Sequence, residues 1–471
     1  MWETKENKLY KKFIFADFTQ AIQFINQVAE LSTQLNHHPS ILNNYHVVEI
    51  WLCTHDENNQ ITAKDHELAN LINEIKWNYF TRYQVKQTSL PFLLNTKYTY
   101  QLFTSIQSLP NHWDSIAQAN IFLSTKYLEV LDSAAPANIK CQYIGIFNQE
   151  ELIGIALAQF IDLSHLETYG ERDKKLKTWV RNYLFSRFSS KLLFIGNNML
   201  SGQNAFAVKD QTSILEILQT LKEAAFYINQ HSKNHLTSFK DFMPHDLSYF
   251  DQPAFKKDLK FTSQPNMIFE INSSWAHEDD YVKALTKKYR DQFKRSRHKA
   301  LGIEKRMLTL EEILDQQEII YELYFHVAEN APFNTFYLPK NHFYVLKEKL
   351  TDDFMLYGYF MDGKLIGFYT LIKNGKSLDT YFLGYDDKIQ KEKMLYLNML
   401  YDMIACGISL KFNNIIFGRT ALEIKSSVGA IDTPMFGFMR HSQPLINQFL
   451  GHIFNYLEPE TAWKRRSPYK P

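Results

Sequence analysis

Two distant stretches of this chain share one design of strand, polar turn and strand. The first, "YIGIFNQEELIGIALAQF", occupies residues 143–160, and the second, "LYGYFMDGKLIGFYTLI", occupies residues 356–372. In both, the second strand opens on Leu-Ile-Gly. Farther along, "KLLFIGNN" (191–198) matches "NNIIFGRT" (413–420), an apolar strand that ends in Gly and polar residues. Two copies at comparable spacing predict a duplicated α/β module, and chance similarity between hairpins is the alternative.

Length and composition limit the class of protein. A chain of 471 residues is too long for one ordinary core, so we expect two or three domains. Its 45% hydrophobic and 22% charged residues are typical of a soluble globular protein. A formal net charge of +1 excludes a global field that would recruit nucleic acid or an acidic membrane, so only local basic patches could do so.

The cysteines and the N-terminal residues indicate the cellular compartment of the protein. Cys53, Cys141 and Cys406 lie far apart and show no spacing of zinc ligands, which predicts a reduced protein without disulfides. The N-terminal "MWETKENKLYKK" has no apolar segment of the signal-peptide kind. No apolar run reaches the roughly 18 residues of a transmembrane helix. We therefore expect a cytoplasmic protein without a membrane partner.

The first 80 residues alternate strand and helix patterns. Residues 11–16 predict a short strand, and Asp17 is placed to cap an amphipathic helix after it. Strand character returns at 46–54, where apolar residues alternate with others. Thr62 then precedes a second amphipathic helix. These patterns predict a compact α+β domain over residues 1–82, followed by a linker that ends near residue 95.

Two adjacent histidines lie between the first predicted helix and the next predicted strand, in "NHHPSILNNY" (36–45). His37 and His38 fall in the loop after the first helix, His55 ends the long strand, and Asp65 falls in the first turn of the second helix. Ends of elements bring distant side chains into one cleft. Imidazoles there offer proton donors and acceptors near neutral pH, as general acid–base catalysis requires. Three His and one Asp also suit zinc, but adjacent side chains rarely both reach one metal, so we predict no metal site.

A spaced motif runs through this domain: "HHP", then Tyr45, "THD" at 54–56 and Asp65, all after "FIFADFTQAIQFINQVAE". Over residues 8–80 the chain resembles the pterin-4a-carbinolamine dehydratase family. The resemblance implies an α+β fold with a four-stranded antiparallel sheet, helices on one face, and assembly into dimers or tetramers through this domain. It implies removal of water from 4a-hydroxytetrahydrobiopterin to give quinonoid dihydrobiopterin, without a metal or a cofactor.

The resemblance assigns roles to six residues, namely catalytic His37, His38 and His55 and substrate-binding Tyr45, Asp56 and Asp65. Hydroxide is a poor leaving group at C4a, so an acid must protonate it while a base removes the proton from N5. Which imidazole is the acid stays open. Tyr45 can instead pack at the strand entrance, and Asp65 can serve the first turn of its helix. At Thr33 the chain departs from many relatives, which carry a glutamate that would orient an imidazole.

The rest of the chain carries "FLSTKYLEVL" before the first hairpin, "SSWAHEDDYVKALTKKYRDQFKRSRHKALG" between the two halves and "FGRTALEIKSSVGA" near the end. This pattern is similar to tandem GNAT-type acyltransferases of the Fem-like kind over residues 95–455. The resemblance implies a larger α/β module, with a first half at 95–280 and a second at 281–471. It implies an N-acyltransferase-like activity on an unknown substrate, with an acyl-CoA or aminoacyl-tRNA donor. Nucleic acid is then a partner only if the donor is tRNA.

A basic segment between the halves is the candidate donor site. Between Lys283 and Arg306 there are ten Lys or Arg against two acids. Arg290, Lys294 and Arg297 recur at helical spacing and suit the phosphates of a donor. A solvated basic helix is the alternative. A predicted strand end is followed by Arg419, Glu423 and Lys425, as in the ligand-binding loops of open α/β sheets, with helix capping or an internal ion pair as the alternative.

The sequence thus predicts a dehydratase domain joined to an acyltransferase module. A second interpretation makes the first domain a non-catalytic dimerisation module for the acyltransferase. Retention of His37, His38 and His55 favours catalysis, whereas Thr33 favours the scaffold.

Overall fold

The structure is a computed structural model that divides the chain into two compact units, Met1–Asn78 and Tyr79–Pro471. It describes residues 2–5, 7–14, 18–44, 47–54, 57, 60–74, 97–118, 120–163, 190–202, 204–232, 234–330, 334–457 and 463–470. The predicted linker, from 81 to 95, lies outside these residues, and the predicted boundary at 280 stays a prediction. No described helix is long and apolar enough to cross a membrane.

The first unit is a small sheet with two helices. Its elements are β1 (Glu3–Lys5), β2 (Lys8–Ile14), α1 (Phe18–Gln34), β3 (Ser40–Asn44), β4 (Val47–Leu52) and α2 (Ala63–Glu74). The strands pair antiparallel in the order β1-β2-β4-β3. This confirms the predicted α+β fold and its four-stranded antiparallel sheet. The sequence patterns missed β1 and β3, because these short edge strands carry few apolar residues.

Strand β4 explains why this sequence folds as it does. Val48, Ile50 and Leu52 are fully buried on one face, and they share a core with Phe24 of α1 and Leu68 of α2. Full burial of an apolar side chain of this size stabilises the fold by about 1.5–3 kcal/mol. The alternation therefore sets which face of the sheet the helices cover. The predicted cap of α1, Asp17, lies outside the described residues.

The strands of the second unit form one large sheet. They are β5 (Thr99–Phe103), β6 (Ile139–Asn148), β7 (Glu151–Asp162), β8 (Lys191–Ile195), β9 (Phe206–Val208), β10 (Leu236–Phe242), β11 (Leu259–Glu270), β12 (Glu304–Met307), β13 (Phe354–Met361), β14 (Lys364–Asn374), β15 (Ser377–Tyr385), β16 (Asn414–Gly418) and β17 (Ile431–His441). Their order is β12-β13-β14-β15-β16-β11-β17-β10-β8-β7-β6-β5, and β9 pairs with β7.

Helices connect these strands. Those that the structure describes are α3 (Trp113–Ala117), α4 (Thr125–Ala134), α5 (Ile214–Ser232), α6 (Glu278–Ala284), α7 (Lys287–Lys299), α8 (Leu310–Asp315), α9 (Gln317–Glu329), α10 (His342–Leu350), α11 (Asp387–Lys393), α12 (Leu395–Ser409), α13 (Leu422–Ser427) and α14 (Pro444–Leu457).

The predicted duplication is visible in the two hairpins. The pair β6–β7 turns at Gln149, which has φ 56°, and the pair β13–β14 turns at Asp362, which has φ 52°. Each hairpin also has a register shift near its turn, after Ile146 in the first and after Tyr359 in the second. A third antiparallel strand follows each hairpin, as β8 and as β15, and is then joined by a parallel strand, β10 or β16. The structure therefore confirms a module built from two related α/β halves.

One detail of the predicted repeat is wrong. The sequence match equated 191–198 with 413–420, which are the regions of β8 and β16. In the sheet, β8 takes the place that β15 takes in the second half, and β16 corresponds to β10. The sequence match was misleading because β8 and β16 are both short apolar strands, and a short apolar pattern does not show which strands are its neighbours in the sheet.

The two halves are joined by a shared sheet and a shared core. Strand β17, from the end of the chain, lies between β11 and β10. Tyr127 and Leu131 of the first half pack in one cluster with Phe343 and Leu346 of the second. His342 Nδ1 lies 2.7 Å from the carbonyl oxygen of residue 134, and burial lowers the pKa of this imidazole to about 4. The neutral ring therefore serves as a hydrogen-bonding link between the halves.

Candidate functional site

The loop after α1 places the paired histidines in different environments. Asn36 adopts a left-handed φ of 47°, which ends the helix. The backbone N–H of His37 then donates to the Ser32 carbonyl at 2.9 Å. His37 is buried and His38 is exposed. One imidazole is thus held inside the unit, whereas its neighbour is open to solvent.

His37 is held by the carboxylate of Asp65. Its Nε2 lies 2.8 Å from Asp65 Oδ1, and the two residues are 28 positions apart in sequence. Asp65 itself is fully buried in the first turn of α2. Because the carboxylate accepts, Nε2 carries a proton, and Nδ1 is left as the nitrogen that can exchange one.

The second carboxylate oxygen of Asp65 has its own donors. The Thr54 hydroxyl donates to Oδ2 at 2.9 Å, and the backbone N–H of Thr62 donates at 2.8 Å. The hydroxyls of Thr54 and Thr62 lie 2.6 Å apart. Thr62 immediately precedes α2, so Asp65 reaches back to the start of its helix as in a capping box. The helix start, the end of β4 and the loop of His37 are thereby joined at one carboxylate.

These contacts keep Asp65 ionised. Burial alone would raise the pKa of this carboxyl, but the hydrogen bonds from Thr62, His37 and Thr54 outweigh burial and lower it. Asp65 was predicted to bind substrate. Since it is fully buried and both of its oxygens accept bonds within the protein, the geometry favours a positioning role behind His37.

Three predicted site residues lie outside the described residues: Tyr45, His55 and Asp56. Their roles stay predictions. The structure describes the neighbour of His55, Thr54, whose backbone N–H donates to the Gln60 carbonyl at 3.0 Å. The sequence analysis did not identify Thr54 as a site residue. Its place beside His55 in "THD" was the feature that could have indicated it.

Thr33 marks the position where many relatives carry a glutamate. It is exposed, and its hydroxyl donates to the Ala29 carbonyl of its own helix at 2.8 Å. It supplies no charge to the imidazoles, so Asp65 is the carboxylate that the described residues provide for His37.

The described part of the chain contains no group of three His, Cys, Asp or Glu side chains that could hold a metal ion. Because His55 and Asp56 are outside that part, the absence of a metal at the histidine site stays a prediction.

The basic helix of the second unit is α7. Arg297 forms ion pairs with Glu278 at 2.5 Å and with Asp402 at 2.9 Å. Burial works against the charge of Arg297, but Asp402 and Glu278 prevail and raise its pKa. Arg290 donates to the Leu285 carbonyl, and Lys294 is exposed. The geometry therefore does not favour a donor-phosphate role for Arg297, and the roles of the other two stay predictions.

Arg419 follows β16, as the sequence predicted for a strand end. Its guanidinium pairs with Asp241 of β10, which is 178 positions away. Asp241 also pairs with Lys240, with Nζ 2.7 Å from its Oδ2. Burial lowers the pKa of Arg419 to about 10. The internal ion pair that was the alternative is thus present, and a donor-binding role for Arg419 stays a prediction.

Lys425 follows the same strand end as Arg419, as the sequence predicted. It lies on α13, is buried, and its Nζ donates to the Phe417 carbonyl at 2.6 Å. Burial lowers its pKa to about 7, and no described carboxylate forms an ion pair with it. A lysine that is partly neutral at physiological pH can accept a proton.

The model of the pterin 4 alpha carbinolamine dehydratase family matches residues 1–75. A putative pterin-4-alpha-carbinolamine dehydratase of Sulfurisphaera tokodaii is 40% identical over 74 residues, which are 16% of this chain and 78% of the relative. One of Prochlorococcus marinus is 43% identical over 76 residues, again 16% of this chain and 78% of the relative. These matches cover the unit that contains His37 and Asp65.

The second unit is similar to a different kind of protein. The crystal structure of FemX matches over 75% of this chain and 98% of its own, with 12% identity and a TM-score of 0.46. A likeness this distant says nothing of what the second unit binds or catalyses.

Proposed function

Since this chain belongs, through residues 1–75, to the pterin 4 alpha carbinolamine dehydratase family, we propose that its first unit removes water from 4a-hydroxytetrahydrobiopterin. The product is quinonoid dihydrobiopterin. Loss of hydroxide from C4a requires a proton for the leaving oxygen and a base for the proton on N5. Histidines perform both steps near neutral pH without a metal or a cofactor.

The contact between His37 and Asp65 is the observation that best supports this proposal. A carboxylate at 2.8 Å fixes which nitrogen of His37 carries the proton. It also stabilises the imidazolium that forms whenever His37 takes up a second proton. A buried carboxylate such as Asp65 is costly unless it is well hydrogen bonded, and Thr54 and Thr62 meet that need together with His37.

His38 and His55 complete the proposed proton exchange. His38 is exposed beside the buried His37, so a pterin that enters from solvent meets His38 first. His55 follows Thr54, the residue that bonds to Asp65. In this proposal the three imidazoles exchange protons with the C4a hydroxyl and N5 of the pterin, and Tyr45 and Asp56 bind the ring.

The first prediction concerns His38 and His55. In the full-length chain, His38→Ala or His55→Ala lowers the rate of 4a-hydroxytetrahydropterin dehydration by about 10²- to 10⁴-fold, the usual contribution of a general acid or base. The rate is measured by ultraviolet absorbance, with a chelator present. His66→Ala is the matched control, because it removes an exposed imidazole from α2. Unchanged rates in both variants would favour the non-catalytic interpretation of this unit.

The second prediction concerns assembly through the first unit. Strand β3 is an edge of the sheet, and Leu42 on it is 53% exposed. An edge strand offers unpaired backbone groups to a second copy. We expect light scattering to show a homo-oligomer at micromolar concentration. Leu42→Lys is expected to shift it towards monomer, whereas Leu410→Lys, in the second unit, is not. A monomeric wild type contradicts the proposal.

For the second unit we propose N-acyl transfer. The supporting observation is the placement of Lys425, a buried lysine just after a strand end whose Nζ donates to the Phe417 carbonyl at 2.6 Å. Burial also lowers its pKa to about 7, which leaves a neutral fraction at physiological pH. As an amine attacks an acyl carbon, its nitrogen must lose a proton, and a neutral lysine can take it. The donor is an acyl-CoA or an aminoacyl-tRNA, and the two classes are separated by experiment.

The third prediction tests this role of Lys425. With acetyl-CoA or aminoacyl-tRNA and a set of amine acceptors, the transfer rate rises with pH through about 7, because only the neutral lysine accepts a proton. Lys425→Met lowers the rate by about 10²-fold or more, while Lys391→Met, on the exposed side of α11, leaves it unchanged. Product formation is followed by mass spectrometry. Transfer that persists in Lys425→Met excludes the proposed role.

A further inference from the structure

The last described helix of the second unit exposes apolar side chains. Helix α14 contains no Asp, Glu, Lys or Arg in its 14 residues. Leu445 is 73% exposed and Phe449 is 60% exposed. These two side chains are four residues apart, so they lie on the same face of the helix. The next residue, Leu450, points to a different side of the helix and is buried. The helix is therefore anchored by one face and presents a second apolar face to the outside.

A groove borders that exposed face. It is a cavity of about 1140 Å³ between α5, the start of β10, the end of β17 and α14. Gln448 of α14 lines it, and Gln448 is three residues from Leu445, on the same side of the helix. Phe226 of α5, which is 49% exposed, lines the groove from the other side. Phe226 thus lines the groove itself, and the exposed Leu445 is next in sequence to Pro444, which also lines it.

The groove is cationic. Lys222, Lys257 and Arg440 line it, whereas none of its described lining residues is Asp or Glu. Lys222 forms an ion pair with Asp258. Burial lowers the pKa of Lys222 in spite of this partner. His235 and His441 also line the groove. The positive charge here is local, because the whole chain has a formal net charge of only +1.

We infer that α14 and this groove form a docking surface for a bilayer that contains anionic phospholipid. A bilayer surface presents phosphates and hydrocarbon within a few ångströms of each other, and this surface matches both. Leu445 and Phe449 enter the boundary of the acyl chains, and Arg440 and Lys257 meet lipid phosphates. A soluble phosphate compound could bind the basic residues of the groove, but it would leave Leu445 and Phe449 exposed to water. It would therefore not explain the apolar face of α14.

Vesicle sedimentation of the full-length chain tests this inference. The chain is expected to pellet with vesicles of phosphatidylcholine and phosphatidylglycerol, and much less with phosphatidylcholine alone. The double variant Leu445→Ser, Phe449→Ser is expected to weaken this binding by about tenfold or more. Arg440→Gln is expected to weaken it by about fivefold and to reduce its salt dependence, because charges at the surface are screened within about 10 Å at 0.1 M salt.

A second double variant, Leu314→Ser, Leu410→Ser, is the matched control. It removes two leucines that are 50% and 44% exposed elsewhere on the unit, and it is expected to bind vesicles like the wild type. Circular dichroism checks that each variant is folded. Failure of the wild type to bind anionic vesicles overturns the inference. So does equal binding by the α14 variant, or a change in oligomeric state on its substitution without any vesicle binding, which would show that a second copy covers the face.

Discussion

Asp65→Asn lowers the rate of pterin dehydration by about 10²- to 10⁴-fold in a chain that still folds. In the wild type, the carboxylate accepts from His37 Nε2 at 2.8 Å. An amide in its place can donate as well as accept, so it no longer selects the tautomer of His37. It also removes the negative charge that stabilises an imidazolium. Steady-state kinetics on the full-length chain, across pH, measure the effect.

Two further variants sharpen this prediction. Thr54→Val removes one donor to Asp65 and leaves the carboxylate, so we expect a smaller loss, of about tenfold or less. Glu67→Gln removes an exposed carboxylate from the same helix and is expected to have no effect. A dehydration rate in Asp65→Asn close to that of the wild type would leave Asp65 as a helix-capping residue only.

Asp379→Asn stabilises the second unit, and the gain is larger at alkaline pH than at acidic pH. Asp379 is 4% exposed on β15, and its Oδ2 has no hydrogen-bond partner among the described residues. Burial raises its pKa from 3.8 to about 7, and a hydrogen bond from Asn374 offsets this only in part. The folded state therefore binds a proton more tightly than the unfolded state does.

The sign of the pH dependence follows from that difference. Between pH 3.8 and about 7, the unfolded chain loses the proton of this carboxyl while the folded chain keeps it. The free energy of unfolding consequently falls as the pH rises through this window and levels off above it. Asparagine has no such proton, so Asp379→Asn is expected to gain a few kcal/mol near pH 8 and little near pH 4.

Urea unfolding, followed by tryptophan fluorescence at several pH values, measures this gain. Asp352→Asn is the matched control, because Asp352 is an exposed carboxyl in a turn before β13. Its stability is expected to follow that of the wild type at every pH. A gain in Asp379→Asn that does not change with pH would mean that packing, rather than proton binding, explains it.

Local patterns in the sequence predicted much of the secondary structure correctly. The alternation at Val48, Ile50 and Leu52 predicted β4, and Thr62 marked the start of α2. The two hairpins around residues 149 and 362 were recognised from their repeated pattern. Burial of one face imposes a period on each of these elements, and a period can be read without knowing what covers the face.

The candidate site was predicted in part. The loop position of His37 and His38 and the helix position of Asp65 follow from the same local patterns. The exposure of His38, the burial of His37 and the contact between His37 and Asp65 depend on how α2 packs against the end of β4. Thr54 was missed because a threonine at a strand end is ordinary until its partner is known.

The sequence by itself determined the two-part organisation, the family of the first unit, the paired histidines in their loop and the duplicated hairpins. Tertiary structure alone decided which charges are paired. Arg297 meets Asp402, and Arg419 meets Asp241, over separations of more than a hundred residues. It also decided that β17 closes the sheet between β10 and β11. The reason is physical: hydrophobic period is a property of neighbouring residues, whereas the partner of a buried charge is set by strand order and register, which no local pattern records.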